Sequence, residues 1–416
     1  MNSRRETLTL TGLILALVIF VVGLTWVNQR FAAQDQGMNA FLPAWAGIRW
    51  YMAKAWSPYS QETMNGIEAM AYGEAAQAGQ VPGIFTFPFY SILIFWPFAL
   101  FKDFVMARAL WMTLLELALL GILWLGIMVS GWRLRRWWLI FLLPFVLSWY
   151  PTVRSVLDGN SIVLCALFTA LAFVAIRSGH DVLAGFLLAL TTLKPEIMSL
   201  TILFASLWGI SHRRWNLVWS LVSSLAFMIL LTSILVPNWT VEYLRRMVLY
   251  YKGTFSMTPG GLISYWLPGI GKQLGWAFTI IMAVMLILEW RLAMRQEFRW
   301  FLWTAYLTLA ASNLIGIRTS LENYVLLLPA LMLVLATWDE RWGRLGKLLM
   351  VLSLITLSFG LWGLSLNTVS KGIPPDLDAF LFLSVPVFII IGLYWVRWWA
   401  IRPPLLYLET LSKQIS

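Results

Sequence analysis

The sequence has 416 residues, of which 60% are hydrophobic and 12% are charged, and its net charge is +11. A soluble domain is nearer half apolar and a quarter charged, so this composition excludes an ordinary cytosolic enzyme, a disordered chain and a DNA-binding domain. The basic excess of so apolar a chain indicates cytoplasmic anchoring loops rather than a nucleic-acid partner. A single cysteine, Cys165, excludes an intramolecular disulfide, and His180 and His212 lie in separate polar segments that make no metal site.

Membrane-spanning helices are predicted wherever an apolar stretch approaches about 20 residues. The first, Leu8–Val27, follows a basic segment but lacks a small-residue cleavage site, so we expect a retained helix rather than a signal peptide. The further predicted spans are 104–129, 137–150, 160–177, 182–193, 197–210, 215–236, 272–291, 299–316, 323–337, 345–366 and 379–396. These spans predict an all-α polytopic membrane protein with about twelve transmembrane helices, in the range of about 11 to about 13. Because no repeat or linker is found, residues 1–416 are expected to form one membrane domain.

The segment Phe85–Phe101 decides the predicted topology. It contains Pro88 and Pro97, and it could either cross the membrane or lie partly inserted in the interface. If it does not cross, the cytoplasmic segments carry the larger share of the Lys and Arg residues, as the positive-inside rule requires. We therefore expect both termini in the cytoplasm and two long external loops, 28–103 and 237–271.

Two helices are expected within the first external loop. The mixture of aromatic and basic residues in Met38–Trp56 is typical of a short amphipathic helix on the membrane surface. Residues 60–80 are rich in Ala, Glu and Gln, which predicts a solvated helix that ends at Gly79. Loops of this length are uncommon unless they have a function, so the outer face is the expected place for the site.

Asp35 is the first candidate for chemistry. It lies about eight residues beyond the end of the first predicted span, in Gln34-Asp35-Gln36-Gly37, which places a carboxylate just above the outer membrane surface. The residue could be a solvated loop acid, an N-cap for the following helix, or a general base at the boundary between water and lipid.

Further polar candidates lie between the predicted spans. Arg154, Asp158 and Asn160 share one predicted external loop, where the Gly159-Asn160-Ser161 segment could cap the next helix or help its N-terminus to bind an anion. Lys194 and Glu196 flank Pro195 between two apolar runs. Ionisable residues near membrane depth suggest a functional site, although a Lys–Glu pair could also reach the interface.

Basic residues of the second external loop are also candidates. Arg245, Arg246 and Lys252 stand among tyrosines, a combination that suits the phosphate of a lipid but also suits a solvated amphipathic helix. Arg318 and Glu322 lie in another predicted external loop. Glu116 lies in the middle of a predicted span, where we expect it to face the protein interior beside a polar neighbour.

The order of several short motifs resembles glycosyltransferase family 87. The motifs that carry the resemblance are the external Asp35, Ser57-Pro58-Tyr59, Phe85-Thr86-Phe87-Pro88, Trp96-Pro97, Ala107-Arg108-Ala109-Leu110-Trp111, Gly159-Asn160 and Leu193-Lys194-Pro195-Glu196. The resemblance covers roughly residues 30–330 and rests on order and spacing rather than on any single motif. It differs from the family at Asn160, where Gln is more frequent, and at Phe87-Pro88-Phe89, where Tyr-Pro-Pro is more frequent.

The resemblance implies a fold and an activity. Members of this family are polytopic GT-C enzymes that transfer a hexose, typically mannose, from a polyprenyl-phosphate donor at the outer face of the membrane. The expected partners are accordingly membrane lipid, the polyprenyl-phosphate sugar, and a lipid or glycan acceptor, and the expected location is the plasma membrane. Because cationic side chains can hold a lipid monophosphate, we expect no cofactor and no obligatory metal.

The resemblance also implies roles for individual residues. Asp35 matches the acidic catalytic residue, and Lys194 matches the Lys of a Lys-Pro pair. Glu322 and Asn323 stand where the family has Asp and His before a Leu-rich span. The residues expected to bind the donor phosphate are Arg318, Lys194, Arg245, Arg246 and Lys252. The residues expected to line the substrate pocket are Tyr59, Arg154, Asp158, Asn160, Glu196, Glu322 and Asn323.

Three other functions compete with this interpretation. A transporter or lipid flippase would show internal repeats and broken helices that meet at the midplane, and only the Lys194-Pro195 break fits. An O-antigen ligase or polymerase would use a diphosphate-linked donor and favour several arginines in one long loop. A structural or assembly protein of the membrane is the third alternative.

Overall fold

The computed structural model describes residues 2–35, 37–77, 80–253, 258–315, 319–371 and 378–401. At residues 2–10, 13, 252, 253 and 265 it describes the backbone alone. These residues form α-helices and short helical turns, with no β-strand in any of the described ranges. The first helices are α1 (Asn2–Gln34), α2 (Phe41–Lys54), α3 (Gln61–Tyr72), α4 (Ile92–Ala99), α5 (Phe104–Ser130), α6 (Leu139–Ser148), α7 (Tyr150–Leu157), α8 (Ile162–Arg177), α9 (Asp181–Leu190) and α10 (Pro195–Ser211). The later helices are α11 (Trp215–Leu235), α12 (Trp239–Gly253), α13 (Pro259–Trp266), α14 (Gly271–Ala293), α15 (Phe298–Ser312), α16 (Leu328–Ile355), α17 (Leu361–Ser370), α18 (Ala379–Trp395) and α19 (Trp398–Ile401).

Short turns of 3₁₀-helix lead into four of these helices. They are Phe89–Ser91 before α4, Arg136–Trp138 before α6, Thr191–Leu193 before α10 and Leu321–Leu327 before α16. A π-helical turn, Thr356–Gly360, joins α16 to α17. Irregular turns of this kind often mark hinges or functional positions along otherwise regular helices.

Every predicted span overlaps a helix of the described chain, but the number of crossings is not confirmed. Five helical segments of the described chain are long and apolar enough to cross a membrane, or six if the pair Arg136–Ser148 and Tyr150–Leu157, bent by 49°, counts as one span. Several predicted spans fold instead as apolar helices of 10–17 residues. At about 1.5 Å per residue, even the longest of these falls short of a hydrocarbon core about 30 Å thick.

The longest of the five segments, Leu321–Ser370, is broken at Gly343. That residue has φ 51° and ψ −110°, which is outside the helical region. A Cβ atom added at Gly346 would lie 1.9 Å from the carbonyl oxygen of Trp338, although residues eight apart in a straight helix are about 12 Å apart. The chain therefore turns back at Gly343, and its two arms correspond to the predicted spans 323–337 and 345–366.

The ambiguous segment Phe85–Phe101 forms only a short helical stretch. Its helical part, Phe89–Ala99, is about 17 Å long at 1.5 Å per residue, which is too short to cross the hydrocarbon core alone. The carbonyl groups at its C-terminal end, which have no donor within the helix, accept hydrogen bonds from α2, because Arg49 Nη1 lies 2.9 Å from the Ala99 oxygen and Trp45 Nε1 lies 3.3 Å from the Phe101 oxygen. The side chains of α2 thus cap this short helix.

The chain divides into two compact units. The first contains Met1–Ala118, Val156–Ser161 and Ile229–Phe255, and the second contains Leu119–Ser155, Ile162–Met228 and Ser256–Ser416. In the first unit, Phe41 stacks on Trp111 with ring centroids 5.2 Å apart, and Phe95 and Phe98 pack against the same indole at 4.9 and 5.1 Å. In the second unit, α15 is the most enclosed helix, because its residues from Phe301 to Ser312 are all buried.

The two helices expected in the first external loop exist, with two differences. The first half of α2, from Phe41 to Ile48, is buried on every side, so this helix is not the one-sided surface helix that was predicted. Helix α3 ends at Tyr72 because Gly73 adopts the left-handed conformation, with φ 79°, that commonly ends helices. The predicted end at Gly79 lies outside the described residues.

A buried carboxylate fastens the segment that follows α3. Glu68 is buried, and its two oxygens accept from the backbone N–H groups of Ala76 at 3.0 Å and Gly83 at 3.1 Å. Tyr72 adds a hydrogen bond from its hydroxyl to the Val81 oxygen at 3.0 Å. The Glu68 side chain is therefore the main polar contact between α3 and the chain leading to α4.

Glu68→Gln should loosen this segment. An amide offers one acceptor where the carboxylate offers two, so one of the backbone N–H groups loses its partner at a cost of about 1–3 kcal/mol. Limited proteolysis of the detergent-solubilised protein should then cut between residues 73 and 83 faster than in the wild type. The control is Glu74→Gln, whose side chain is exposed. Equal cleavage rates for the two variants would contradict the role of Glu68.

Candidate active site

Asp35 follows directly after α1 in the first unit. Its backbone N–H still donates to the Phe31 oxygen at 3.1 Å, so the residue continues the last turn of the helix. Its side chain remains 56% exposed. A long apolar helix thus ends directly before a carboxylate that solvent can reach. The sequence predicted this helix to end at Val27, whereas the structure continues it to Gln34.

The partner of Asp35 is Arg108, a residue on α5 that was not among the predicted site residues. The Arg108 side chain is only 1% exposed, and its Nη2 lies 2.9 Å from Asp35 Oδ2. The same guanidinium donates to the carbonyl oxygen of Asp35 and, at 2.7 Å, to that of Leu157. Its position over the Phe31 ring, 5.5 Å from the centroid, completes the contact with α1. A lone arginine near the start of an apolar helix was the sequence signal that could have identified it.

The Asp35–Arg108 pair leaves part of the carboxylate available. Arg108 engages Oδ2, and among the described residues no hydrogen-bond donor reaches Oδ1. Arg108 Nε is buried and has no hydrogen-bond partner among the described residues. The arrangement orients one carboxylate oxygen with a buried cation while the other can accept a proton from a substrate.

Asp158 and Asn160 lie in the segment of the first unit that Arg108 also contacts. The Ala40 N–H donates to both the backbone oxygen and Oδ1 of Asp158, at 2.9 and 3.1 Å, so this acid helps to position the start of α2. Gly159 has φ 67°, and its carbonyl accepts from Trp111 Nε1 at 2.8 Å. Asn160 is buried. A Cβ atom at Gly159 would lie 2.7 Å from Phe41 Cβ, so only glycine fits there.

Tyr59 is also in the first unit, and it is almost fully buried. Its hydroxyl donates to the Phe87 oxygen at 2.6 Å, and its ring packs against Phe85 with centroids 5.3 Å apart. Burial raises the pKa of Tyr59 well above its ordinary value, with smaller contributions from Tyr243 and Tyr90. The phenol therefore stays protonated and serves to join the 57–59 turn to the 85–89 segment.

The basic residues of α12 are partly engaged by protein groups. Arg245 forms an exposed ion pair with Glu242 at 2.7 Å. Arg246 is half-buried, and its Nε donates to the Tyr59 oxygen at 2.8 Å. The Lys252 side chain is outside the described part of the structure. Arg246 therefore holds α12 to the Tyr59 turn, and its role toward a phosphate stays a prediction.

In the second unit, Arg154 and Glu322 form an ion pair. Arg154 Nε lies 2.7 Å and Nη2 2.5 Å from Glu322 Oε1. The neighbouring Ser155 hydroxyl donates to the Glu322 backbone oxygen at 2.8 Å. Glu322 is buried, whereas the Arg154 side chain is 33% exposed. Two predicted pocket residues, far apart in sequence, are thus in direct contact.

Asn323, which follows Glu322 in the sequence, has a side-chain oxygen that accepts no hydrogen bond from the described residues. Its Nδ2 donates to Thr319 Oγ1 at 3.1 Å, and Thr319 in turn donates to Asn313 Oδ1 at 2.8 Å. Asn323 Oδ1 is buried and has no partner within the described residues. Arg318, predicted to bind the donor phosphate, lies outside the described residues.

Lys194 and Glu196 lie where the Thr191–Leu193 turn meets α10. No ion pair joins the two side chains within the described structure, so they do not form the simple Lys–Glu pair considered from sequence. Glu196 Oε2 is buried without a hydrogen-bond partner there. Lys194 is half-buried, and its positive charge acts electrostatically on the Glu196 carboxyl group. Buried polar atoms without partners are uncommon and often belong to functional sites.

A metal centre is not formed by the described side chains. Among residues 2–35, 37–77, 80–253, 258–315, 319–371 and 378–401, no three His, Cys, Asp or Glu residues come together as a metal-ion site would require. The structure instead brings together two pairs of predicted residues, Arg154 with Glu322 and Arg246 with Tyr59. It also places Arg108, which was not predicted, in an ion pair with Asp35.

Removing either member of the Arg154–Glu322 pair should have unequal effects. Arg154→Ala leaves a buried carboxylate unpaired and should lower the free energy of unfolding by about 3–5 kcal/mol. Glu322→Ala should cost less because the Arg154 side chain can reach water. The double variant should be more stable than Arg154→Ala alone. Thermal unfolding in detergent, followed by tryptophan fluorescence, gives the order, and equal midpoints for the two single variants would contradict this account.

Comparison with known proteins identifies the family. A family model described as glycosyltransferase family 87 matches residues 85–313, which are more than half of the chain. The matched range includes Arg108 and Lys194, whereas Asp35 precedes it and Glu322 follows it. No curated protein and no solved structure matches the chain. Together with its apolar helices, the match shows that the chain belongs to glycosyltransferase family 87 and is a membrane glycosyltransferase.

Proposed function

We propose that this glycosyltransferase moves a hexose, namely mannose, from a polyprenyl-phosphate donor to a lipid or glycan acceptor. The observation that carries the proposal is the Asp35 carboxylate, which stands at the end of a long apolar helix and is oriented by the buried Arg108. A group at that position can meet a polar acceptor while the lipid part of the donor stays in the bilayer. The resemblance to polyprenyl-phosphate-dependent enzymes supports the choice of donor.

In the proposed reaction Asp35 is the general base. The acceptor hydroxyl donates its proton to Asp35 Oδ1 while its oxygen attacks the anomeric carbon of the sugar. The bond between that carbon and the phosphate oxygen breaks, and the polyprenyl phosphate leaves with the electron pair. Direct displacement in one step inverts the anomeric configuration.

The leaving phosphate requires positive charge, because charge grows on it in the transition state. We propose Lys194 as one such cation, since its ammonium group has no ion-pair partner among the described side chains. Arg318, Arg245, Arg246 and Lys252 remain the other candidates. Cationic side chains suffice for a monophosphate, so the proposed reaction needs no metal.

The proposed location is the plasma membrane, with a GT-C fold, about twelve spans and the site at the outer face. Both termini would then be cytoplasmic. The shortness of the Phe89–Ala99 helix supports this topology, because a segment that does not cross keeps the basic loops on the cytoplasmic side.

A transfer assay tests the proposed donor and base together. The purified protein in lipid is incubated with radiolabelled polyprenyl-phosphate mannose and total membrane lipid, and label in the acceptor fraction is measured. The wild type should transfer label, and Asp35→Asn should lose at least about 10²-fold in kcat, because an amide cannot accept the proton.

The matched control for this assay is Asp103→Asn. Asp103 is exposed, and its two oxygens accept from the N–H groups of Val105 and Met106 at the start of α5. Asn keeps one of these acceptors and is a good N-cap residue, and water can reach the other N–H group at this exposed position. The turnover of this variant should equal that of the wild type. Near-normal turnover by Asp35→Asn would exclude Asp35 as the base, and no transfer by the wild type would exclude this donor.

Lys194→Ala should weaken the use of the donor. Loss of one cation at the phosphate should raise KM for polyprenyl-phosphate mannose or lower kcat by about 10-fold or more, because a charge-assisted bond contributes about 1.5–3 kcal/mol. Lys102→Ala, at an exposed position, is the control. Unchanged donor kinetics in Lys194→Ala would remove this residue from the proposed phosphate site.

A further inference from the structure

A group of polar side chains joins α1 to α5 below the Asp35–Arg108 pair. Asn28 Nδ2 donates to Thr113 Oγ1 at 3.1 Å and to Glu116 Oε2 at 2.8 Å. Thr25 Oγ1 lies 3.1 Å from the same Thr113 hydroxyl. We call these four residues, Thr25, Asn28, Thr113 and Glu116, the polar clip.

The clip and the catalytic pair lie on one face of α1. Thr25 and Asn28 are three residues apart, and Asp35 follows Asn28 by two helical turns, so all three side chains point toward the same neighbour. On α5, Arg108 and Thr113 meet Asp35 and Asn28 in the reverse order along the chain, as antiparallel helices require. The two helices therefore share a polar seam that ends at the carboxylate.

Little else in the described structure encloses α1. Only 6% of the most apolar stretch of α1 is buried inside the protein, whereas 56% of the most apolar stretch of α5 is buried. Lipid chains are as apolar as leucine, so apolar side chains alone do not fix how far one helix slides along another in a membrane. Hydrogen bonds between specific atoms can fix that position.

Glu116 is the costly member of the clip. A carboxyl group in the middle of an apolar helix is unfavourable unless it has a partner, and such residues are generally functional. Here Asn28 supplies the partner, as expected from the sequence. The proposed catalytic mechanism does not use Glu116, so its presence at mid-helix needs another explanation.

We propose that Asn28, Thr113 and Glu116 are positioning residues for the Asp35 base, acting by fixing the axial position of α1 against α5. This inference rests on the proposed role of Asp35. A shift of α1 by one helical turn would displace the carboxylate by about 5.4 Å. A displacement of only about 1 Å at a reacting group can cost on the order of 10²-fold in rate.

The first part of the test measures helix position without catalysis. Nitroxide labels are attached at Val27→Cys on α1 and Leu114→Cys on α5, which are exposed neighbours of Asn28 and Thr113, in a chain carrying Cys165→Ala. Electron–electron double resonance in lipid nanodiscs should give one narrow distance distribution. Asn28→Ala, and separately Thr113→Val, should broaden or shift it.

The second part measures transfer of mannose from polyprenyl-phosphate mannose by the unlabelled variants. Asn28→Ala and Thr113→Val should lower kcat by at least about 10-fold and leave KM for the donor near its wild-type value, since only the base is displaced. Thr113→Ser keeps the hydroxyl and Glu116→Gln keeps an acceptor, so both should retain most activity. Val22→Ala, on an exposed face of α1, is the control.

The outcomes separate this inference from the proposed function. An unchanged distance distribution in Asn28→Ala and Thr113→Val overturns the inference whether or not the wild type transfers mannose. A broadened distribution with normal kcat also overturns it, because the base would then not depend on the clip. A broadened distribution with a selective fall in kcat supports it. If the wild type transfers nothing, the proposed donor fails, and a broadened distribution still supports the role of the clip in placing Asp35.

Discussion

The contact between Arg108 and Asp35 is the constraint on which the first unit depends. A guanidinium that is 1% exposed is costly in an apolar surrounding unless its charge is paired, so acceptors for its two Nη atoms must be brought to it. Those groups are the side chain and carbonyl of Asp35 and the carbonyl of Leu157, which come from distant parts of the chain. The contacts of Arg108 therefore join these segments, and they hold the Asp35 carboxylate in a defined orientation at the end of α1.

Two buried carboxylates of the second unit follow the same rule, and a third does not. Buried Glu322 is paired with Arg154, and buried Glu289 is paired with Arg397 at 2.8 Å. Glu196 is different, because its buried Oε2 has no partner in the described structure and the nearby Lys194 forms no ion pair with it. Natural proteins break local rules mainly at functional sites, so the exception supports a functional interpretation of this junction.

Several features were predictable because they depend on local sequence. Each predicted span overlaps a helix of the described chain, and an accessible carboxylate, Asp35, follows the first helix. The end of α3 was misplaced because both Gly73 and Gly79 could terminate a helix, and composition does not show which one adopts the left-handed conformation. The crossing number could not be derived, since helices of 10–17 residues and the reversal at Gly343 depend on how the segments pack.

The sequence by itself determined the class of protein, because apolar composition and the length of apolar runs decide whether a chain belongs in a membrane. It also determined the family, through the order of short motifs along the chain. Only the tertiary structure decided the partners: Arg108 for Asp35, Asn28 for Glu116 and Glu322 for Arg154. Such pairs join residues that are 73, 88 and 168 positions apart, and the distance between two side chains so far apart in sequence is set by packing, which no local pattern of residues encodes.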